Sequence, residues 1–497
     1  MIKISSKRNK YTYNVYHVVK AFFPNEEIIQ KVDEKQDSLV DIELPGETCF
    51  SLAPGEALPD AEFPTEEARQ QAVKREITRR LYRCLSETTG RSLAWGTLTG
   101  VRPTKLAMQK IESGMTQEEA ARFLEDTYYV SKEKARLACE VACRENDLLS
   151  RLDCKNGFSL YVGVPFCPSV CSYCSFSSSP IGEWKDRVEA YLDALIREIR
   201  AIGEMTEGQG RRPDTVYIGG GTPTTLEPEQ LKRLLDTVTE CFDLSGTLEF
   251  TVEAGRPDSI TEEKLSVIRE YPVSRISVNP QTMQQKTLDL VGRRHTVEQT
   301  IHAFELARNI GFDNINMDLI AGLPGETVVD MEDTLRRIEA LRPDSLTVHA
   351  LAIKRAARFG QEGRTADLHA EISGMVESAY ASARRMGLVP YYLYRQKNIA
   401  GNFENVGYAE LDKAGIYNIL IMEEKQTILA AGAGASTKIL LREPIIKDGG
   451  KEVDLIRVES VKNINEYIAR IDEMIERKYH KGIPLCREKH GRQRKGE

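Results

Sequence analysis

LYVGVPFCPSVCSYC, residues 160–174, joins a short apolar run to three closely spaced cysteines. The run has the length and composition of a buried β-strand. Cys167, Cys171 and Cys174 fall within eight positions, whereas the other seven of the ten cysteines are spread over the 497 residues. A strand that leads into three thiols predicts a metal or redox site at the end of a sheet.

The composition excludes several classes of protein. With 41% hydrophobic and 29% charged residues, the chain has the make-up of a globular protein, and its length predicts roughly two to four domains. The net charge of -7 argues against a general nucleic-acid or membrane-surface binder. We find neither a signal-like start nor an apolar run near ~18 residues, so we expect a cytoplasmic protein that binds no membrane. In that reducing compartment a cysteine cluster indicates metal or redox chemistry rather than disulfides.

Strand-like runs recur after the first one and alternate with amphipathic segments. Residues 188–199, for example, place their apolar side chains on one face of a helix. Parallel neighbours need a long crossover, so the repeats predict a parallel α/β sheet, either open and doubly wound or curved into a partial barrel. The five later runs are TVYIGG, LEFTVEA, RISVNP, INMDLIAG and SLTVHALAI.

Polar or glycine-rich signatures follow almost every one of these runs. The cysteines follow the first, GGGTPT (219–224) the second, Glu253 the third, residues 279–281 the fourth, and GLPG (322–325) the fifth after Asp318. Parallel α/β proteins build their sites where the carboxyl ends of the strands meet. We therefore expect one cleft, with the three cysteines at its mouth.

Three kinds of cysteine site are compatible with the spacing. A zinc site needs a fourth ligand, but Cys154 precedes the strand, and no histidine lies between His17 and His295. Packing in an apolar core is disfavoured by Pro168 and by the serines that follow. Three thiolates suit a [4Fe-4S] cluster that normally takes four, so that one iron stays open to another ligand.

The cysteine spacing resembles that of the radical S-adenosylmethionine superfamily, in which the methionine moiety chelates the open iron. YVGVPFCPSVCSYCSF, with GGGTPT, VEA, NPQ, GRRHT and NMDLIAGLPG, is similar to the oxygen-independent coproporphyrinogen III oxidase group over residues 161–325. The long N-terminal extension, residues 391–410 and residues 417–436 are most similar to the HemZ-type branch, the coproporphyrinogen dehydrogenases.

This resemblance implies a fold and a division of the chain. The fold is α/β, a partial (β/α)6 TIM-like radical SAM barrel over residues 156–360. An accessory α+β domain would occupy residues 1–155, and a mostly helical HemN-like region would occupy residues 361–497. The loop WGTLTGVRPTK (95–105) recurs in HemZ-like proteins, so we expect it to lie over the mouth of the barrel.

The resemblance also implies a role for individual residues. Cys167, Cys171 and Cys174 would ligate the cluster, and Tyr161 would pack near the cluster and the cofactor as a catalytic residue. The carboxylates suit ribose hydroxyls or the ammonium group, and Arg293 suits the carboxylate. The positions implied to bind S-adenosylmethionine are Tyr161, Gly220, Gly221, Thr222, Glu253, Gln281, Arg293, Asp318 and Ala352.

The activity implied is radical decarboxylation. A 5'-deoxyadenosyl radical would remove a hydrogen from a propionate β-carbon of coproporphyrinogen III, carbon dioxide would leave, and a vinyl group would form. Two such steps give protoporphyrinogen IX. The partners implied are this tetrapyrrole and a one-electron donor such as flavodoxin or ferredoxin, without nucleic acid. Candidate cations for the substrate carboxylates are Arg294, Lys354, Arg355, Arg358, Arg395 and Lys397.

One position departs from the oxidase pattern. Well-described oxidases of the group carry a further cysteine two positions after the third, where this chain has Phe176, as the haem-chaperone branch also does. Cluster ligation does not need that thiol. A haem-binding or haem-transferring protein on the same scaffold, or a radical enzyme acting on another tetrapyrrole, therefore remains an alternative.

Overall fold

The structure is a computed structural model that describes residues 1–24, 26–44, 47–56, 63–100, 102–153, 156–174, 176, 178–351, 368–395, 403–447 and 451–481. The N-terminal part is a four-stranded sheet covered by two helices. Its strand order is β2-β1-β3-β4, and alternate residues of β1 face a local hydrophobic core. The elements are β1 (Ile2–Ser6), α1 (Asn9–Phe22), β2 (Ile28–Val32), β3 (Val40–Leu44), β4 (Glu47–Leu52) and α2 (Glu66–Thr89).

Three helices connect this sheet to the barrel: α3 (Thr104–Glu112), α4 (Gln117–Tyr128) and α5 (Lys132–Leu149). A capping box of Thr116 and Glu119 begins α4, and the Ser131 hydroxyl caps α5. Buried side chains of these helices belong to the same hydrophobic core as the barrel strands. The N-terminal region is thus α+β, as expected. Its proposed boundary at residue 155 stays a prediction, since the core is continuous across it.

The central sheet contains the six predicted strands, all parallel, and the predicted partial barrel is confirmed. They are β5 (Gly157–Val164), β8 (Arg212–Gly220), β9 (Glu249–Glu253), β10 (Arg275–Ser277), β11 (Ile315–Ala321) and β12 (Ser345–Ala350), with a two-stranded ribbon of β6 (Phe166–Cys167) and β7 (Ser179–Pro180) after the first. The helices between them are α6 (Val188–Glu207), α7 (Pro228–Cys241), α8 (Glu262–Arg269), α9 (Gln285–Leu290), α10 (Val297–Ile310) and α11 (Val328–Leu341).

The barrel strands separate apolar from polar side chains. On β5, Phe158, Leu160, Val162 and Val164 pack into the core shared with the helices. The alternate residues face inward, where the barrel carries many buried polar groups; the Thr215 hydroxyl, for instance, donates to Ser159 at 2.8 Å. Because strand residues alternate between the two faces, the barrel interior can accept a polar ligand at its open end.

The C-terminal region extends the sheet at both edges. β14 pairs antiparallel with β12 and is followed by β13, whereas β15 pairs parallel with β5 and is followed by β16 and β17. The elements are α12 (Leu368–Arg385), β13 (Val389–Tyr394), β14 (Asn405–Ala409), α13 (Ile416–Glu423), β15 (Ile428–Ala431), β16 (Ser436–Lys447), β17 (Lys451–Glu459), α14 (Ile464–Ala469) and α15 (Ile471–Lys481).

This region therefore has a larger share of strands than the mostly helical region that we expected. β13, β14 and β15 are only four to six residues long and are stabilised by pairing with the barrel rather than by their own pattern. Glu198 of α6 fastens the last helices to the barrel, since it pairs with Lys478 and accepts from the Tyr467 hydroxyl. None of the helices that the structure describes combines the length and apolar character needed to cross a membrane.

Candidate active site

The three cysteines lie on one short loop at the carboxyl end of β5. Cys167 belongs to β6, and a turn is closed by the Cys174 amide, which donates to the Cys171 carbonyl at 3.0 Å. The loop is fastened to the segment after α9, because Ser172 donates its amide to Val291 at 3.0 Å and Ser169 donates its hydroxyl to Gly292 at 3.0 Å. The three thiols therefore belong to one short backbone segment, which these hydrogen bonds hold in place.

Two buried arginines lie beside the loop. Arg256 Nη1 donates to the Ser169 carbonyl at 3.0 Å and lies 3.6 Å from Cys171 Sγ, while its other side pairs with Asp258 at 2.8 Å. Arg293 Nη1 lies 3.9 Å from the same sulfur. The arginines are 3% and 4% exposed, so their charges are hardly screened by water. They stabilise negative charge on the thiolates.

The sequence did not lead us to predict a role for Arg256, although this residue lies only three positions after Glu253, at the end of the same strand. Arg293 was predicted to bind the cofactor carboxylate. In the structure its Nη2 donates to the carbonyls of Gly255 at 3.0 Å and Asn279 at 2.6 Å, and its Nη1 donates to the Tyr173 hydroxyl at 3.2 Å. This geometry places Arg293 against the cysteine loop. Contact with the cofactor carboxylate stays a prediction.

The glycine-rich segment after β8 packs directly on the backbone that carries the first cysteine. Gly221 donates its amide to Val164 at 2.7 Å, and Thr222 donates its amide to Phe166 at 2.7 Å. A Cβ at Gly221 would lie 2.5 Å from the Phe166 carbonyl oxygen, so a larger residue does not fit. This close approach brings Thr222 Oγ1 to 3.5 Å from Cys167 Sγ.

The donor set fits an iron–sulfur cluster better than a bare thiol site. Burial raises the pKa of the Cys167 thiol, and the Thr222 hydrogen bond opposes that rise only in part. Ligation to iron would offset the cost of burying the thiolate. Among the described residues, no three His, Cys, Asp or Glu side chains converge on a point that would hold one metal ion. The thiolates of a cubane bind separate iron atoms and need no such common point.

Two carboxylates lie on the inner face of the barrel, on β9 and β11. Glu253 ends β9 and accepts a hydrogen bond from the Tyr217 hydroxyl. Burial raises the pKa of Glu253 to about 7, against the Tyr217 hydrogen bond, which lowers it. Asp318 on β11 accepts from Asn316 Nδ2 at 2.7 Å, and its Oδ2 lies 4.0 Å from Nε2 of His349.

Gln281 has a left-handed backbone, with φ of 68°, which is uncommon for a residue other than glycine. Its amide donates to the Asp318 carbonyl at 2.9 Å, and its carbonyl accepts from Ile320 at 2.9 Å. These two hydrogen bonds hold Gln281 in a backbone conformation that is energetically unfavourable for a residue other than glycine. Residues in such conformations are often found at functional sites. Gln281 thus pairs with the middle of β11, next to Asp318.

Tyr161 lies inside the barrel, beneath the glycine-rich segment. Its ring stacks with those of Tyr217 and Tyr417, with centroids 6.3 and 6.0 Å apart. A Cβ at Gly220, whose φ is 105°, would lie 2.9 Å from the Tyr161 hydroxyl. Burial raises the pKa of Tyr161 above its usual value, so the hydroxyl keeps its proton at neutral pH.

Several predicted positions lie elsewhere. Arg294 is exposed, whereas Arg395 is 2% exposed, donates to the Leu98 carbonyl at 2.5 Å and lies over the Trp95 ring. Arg395 therefore binds the loop 95–105 to the end of β13, at the same edge of the sheet as the cysteines. Outside the described residues lie Ala352, Lys354, Arg355, Arg358 and Lys397.

Comparison with known proteins agrees with this arrangement. Residues 161–338 match the radical SAM superfamily. The oxygen-independent coproporphyrinogen-III oxidase-like protein HemZ of Bacillus subtilis (strain 168) is 43% identical over 406 residues, which cover 81% of this chain and 80% of that protein. The chain belongs to the radical SAM superfamily, in its HemZ-type branch. The cofactors of this superfamily are a [4Fe-4S] cluster and S-adenosylmethionine, and membership assigns both to this chain.

Other relatives of the radical SAM chain match a shorter part of it. The heme chaperone HemW of Bacillus subtilis (strain 168) is 40% identical over 200 residues, 39% of this chain and 51% of that protein. The solved structure of coproporphyrinogen III oxidase (HemN) from Escherichia coli aligns with a TM-score of 0.51 at 22% identity. That alignment covers 66% of this chain and 72% of HemN, and it shows a shared fold.

Proposed function

We propose that this radical SAM protein is an oxygen-independent coproporphyrinogen III oxidase that forms protoporphyrinogen IX. The observation that carries the proposal is the 43% identity to HemZ over 81% of the chain, well beyond the barrel alone. The site supports it, because thiols, buried cations and carboxylates meet at one edge of the sheet. We also propose that coproporphyrinogen III and a one-electron donor, a flavodoxin or a ferredoxin, are the partners, and that the protein works in the cytoplasm.

The proposed reaction removes carbon dioxide from two propionates. In each step the propionate –CH2–CH2–COO⁻ becomes a vinyl group –CH=CH2 and releases carbon dioxide, one hydrogen atom and one electron. When bound, the two cofactors supply a one-electron cleavage of a carbon–sulfur bond and the removal of that hydrogen atom. The released electron passes to an acceptor, a one-electron carrier.

The residues of the chain have distinct proposed tasks. Cys167, Cys171 and Cys174 hold the cluster, with Arg256 and the Thr222 hydroxyl stabilising their negative charge. The Glu253 and Asp318 carboxylates accept hydrogen bonds from ribose hydroxyls or the ammonium group of S-adenosylmethionine. The anchored loop and the buried hydrogen bonds increase the rate because they hold the reacting groups in position.

Haem binding and transfer is the second candidate. Its support is the likeness to HemW and the residue at position 176, a phenylalanine in place of the fourth cysteine of the oxidases. Phe176 is 75% exposed at the cysteine loop, where an apolar ring is available to a planar apolar ligand. This function would use the same scaffold without decarboxylation.

One assay separates the two candidates. The protein, reconstituted anaerobically with iron and sulfide, is incubated with a limiting amount of dithionite, S-adenosylmethionine, coproporphyrinogen III and a one-electron carrier that accepts the released electron, and a parallel sample is titrated with haem. The oxidase proposal predicts protoporphyrinogen IX and 5'-deoxyadenosine, and omission of S-adenosylmethionine abolishes both products. Stoichiometric haem binding without any decarboxylated product would replace the oxidase by the haem carrier.

A further inference from the structure

We infer that Tyr217, supported by Tyr417 from the C-terminal region, is a positioning residue for Glu253 and thereby sets the affinity for S-adenosylmethionine. The inference deepens the proposed function and rests on the proposed contact between Glu253 and the cofactor. Tyr217 lies in the strand before GGGTPT, and Tyr417 begins the 417–436 stretch that resembles the HemZ-type branch, but the resemblance implies no role for either tyrosine. Their place in the barrel, beneath the cofactor side of the cleft, is what points to this role.

The contact between Tyr217 and Glu253 depends on strand register. Tyr217 on β8 pairs with Thr251 on β9, so Glu253 lies one inward position closer to the open end. The Tyr217 hydroxyl spans that step and donates to Glu253 Oε1. A Cβ at Gly219 would lie 2.7 Å from the Tyr217 ring and 2.9 Å from Glu253 Cδ. The first glycine of GGGTPT therefore makes the space in which the two side chains meet.

Tyr417 fixes the Tyr217 ring from the other side. The two rings stack with centroids 4.5 Å apart and planes 22° apart, and Tyr417 also stacks on Tyr161. Tyr417 is the second residue of α13, and its amide donates to Glu249 Oε2 at 2.9 Å. Glu249 begins β9, the strand that ends in Glu253. The C-terminal helix is thus bound to the strand whose carboxylate it helps to place.

The hydrogen bond also controls the charge of Glu253. Burial raises the pKa of Glu253 to about 7 and the Asp318 carboxylate adds to that rise, whereas Tyr217 and the Arg275 guanidinium oppose it. Burial holds the pKa of Tyr217 well above its usual value, so its hydroxyl remains a donor. The hydroxyls of Tyr161 and Tyr417 likewise stay protonated. Near neutral pH, the ionised fraction of Glu253 therefore depends on the bond donated by Tyr217, together with the bond donated by the Gly220 amide, which also lowers the pKa of Glu253.

The test is the pH dependence of cofactor binding in a Tyr217→Phe variant, which keeps the ring and loses only the hydroxyl. S-adenosylmethionine affinity of the reconstituted protein is measured by anaerobic equilibrium dialysis without reductant, between about pH 6 and pH 9. Loss of the hydrogen bond should raise the pKa of Glu253, because that bond stabilises the charged carboxylate. The midpoint of the curve of affinity against pH should therefore move upward by about one pH unit, and binding at pH 7 should weaken about fivefold. Comparison with the unmodified protein cancels the titration of the cofactor's own amino group.

Three further variants complete the test. Tyr271→Phe removes a tyrosine-to-carboxylate bond to Asp236, 2.6 Å long, on the outside of the barrel, and should leave the profile unchanged. Tyr417→Leu keeps the Tyr217 hydroxyl but removes its stacking partner, and should shift the midpoint in the same direction by less. Glu253→Gln should bind weakly, without the titration that the Glu253 carboxylate contributes.

An unchanged profile in Tyr217→Phe overturns the inference, and so does full affinity in Glu253→Gln. An unchanged profile in Tyr417→Leu overturns the part assigned to the C-terminal helix. None of these measurements uses a tetrapyrrole. A failure of the oxidase assay with a shifted Tyr217→Phe profile would thus refute the proposed reaction and leave this inference standing.

Discussion

The cysteine side of the cleft and the carboxylate side are held by different means. On the cysteine side, Arg256 and Arg293 connect the loop to backbone carbonyls and leave their charge next to the thiols. On the carboxylate side, Glu253 and Asp318 lie beside aromatic side chains that stack or bond inside the barrel. The cysteine side depends on arginine charges that stay fixed, whereas on the carboxylate side the pKa of Glu253, raised to about 7, makes the charge of that residue change near neutral pH.

Removal of one of the three cluster cysteines should have the largest effect of these substitutions. It removes an iron ligand and leaves the carboxylate side of the cleft intact. Each of Cys167→Ala, Cys171→Ala and Cys174→Ala should lose the iron and the absorption near ~400 nm that iron–sulfur thiolates give. Cys143→Ala, on α5, is the matched control and should retain both. Full iron content in any variant of the trio would contradict the assignment of that residue as a ligand.

Substitution of one buried arginine tests whether fixed charge and carbonyl contacts hold the loop. Arg293→Met leaves the carbonyls of Gly255 and Asn279 without their donor, so the free energy of unfolding should fall by about 3 kcal/mol. The next residue offers a control, since Arg294→Met changes an exposed side chain and should stay within about 0.5 kcal/mol. Urea unfolding of both variants measures the difference. Equal effects would show that the contacts of Arg293 do not support the fold.

A methyl group added to the glycine-rich segment should clash with the backbone that leads to Cys167 and displace it. In Gly221→Ala the Cβ meets the Phe166 and Val164 carbonyl oxygens at 2.5 and 2.8 Å. We expect a loss of about 1–3 kcal/mol in unfolding free energy and a lower iron content after reconstitution. Gly182→Ala, whose Cβ meets nothing within 4 Å, should be neutral. A neutral Gly221→Ala would mean that the segment does not press on the cysteine strand.

The smallest effect belongs to the second carboxylate. The Tyr394 hydroxyl lies 3.4 Å from His349 Nδ1, which directs the Nε2 side of the ring towards Asp318. Burial lowers the pKa of His349, so the ring is neutral at pH 7 and lends Asp318 only a weak contact. His349→Phe should weaken S-adenosylmethionine binding about threefold, less than Tyr217→Phe, because His349 Nε2 lies 4.0 Å from Asp318, beyond hydrogen-bond distance, whereas the Tyr217 hydroxyl donates directly to Glu253. His302→Phe, at an exposed position on α10, should match the unmodified protein. A larger effect of His349→Phe would reverse the ranking of the two carboxylates.

The residues in the strand-end motifs could be predicted from sequence more fully than the tyrosines beneath them in the barrel. The six parallel strands and the motifs at their ends follow from local periodicity and spacing, and the structure brings those motifs to one edge. Tyr217 and Tyr417 could not be found in this way, because their stacking depends on how α13 enters the closed barrel. The pairing of β15 with β5 was missed for the same reason. A four-residue strand is defined by its neighbour rather than by its own composition.

The most direct test of the account is electron paramagnetic resonance of the reconstituted, dithionite-reduced protein before and after addition of S-adenosylmethionine, with iron and sulfide analysis. We predict about four iron atoms per chain and a cubane signal that changes when the cofactor occupies the open iron. A single tetrahedral divalent ion in place of the cubane, or a cubane signal that the cofactor leaves unchanged, would contradict it.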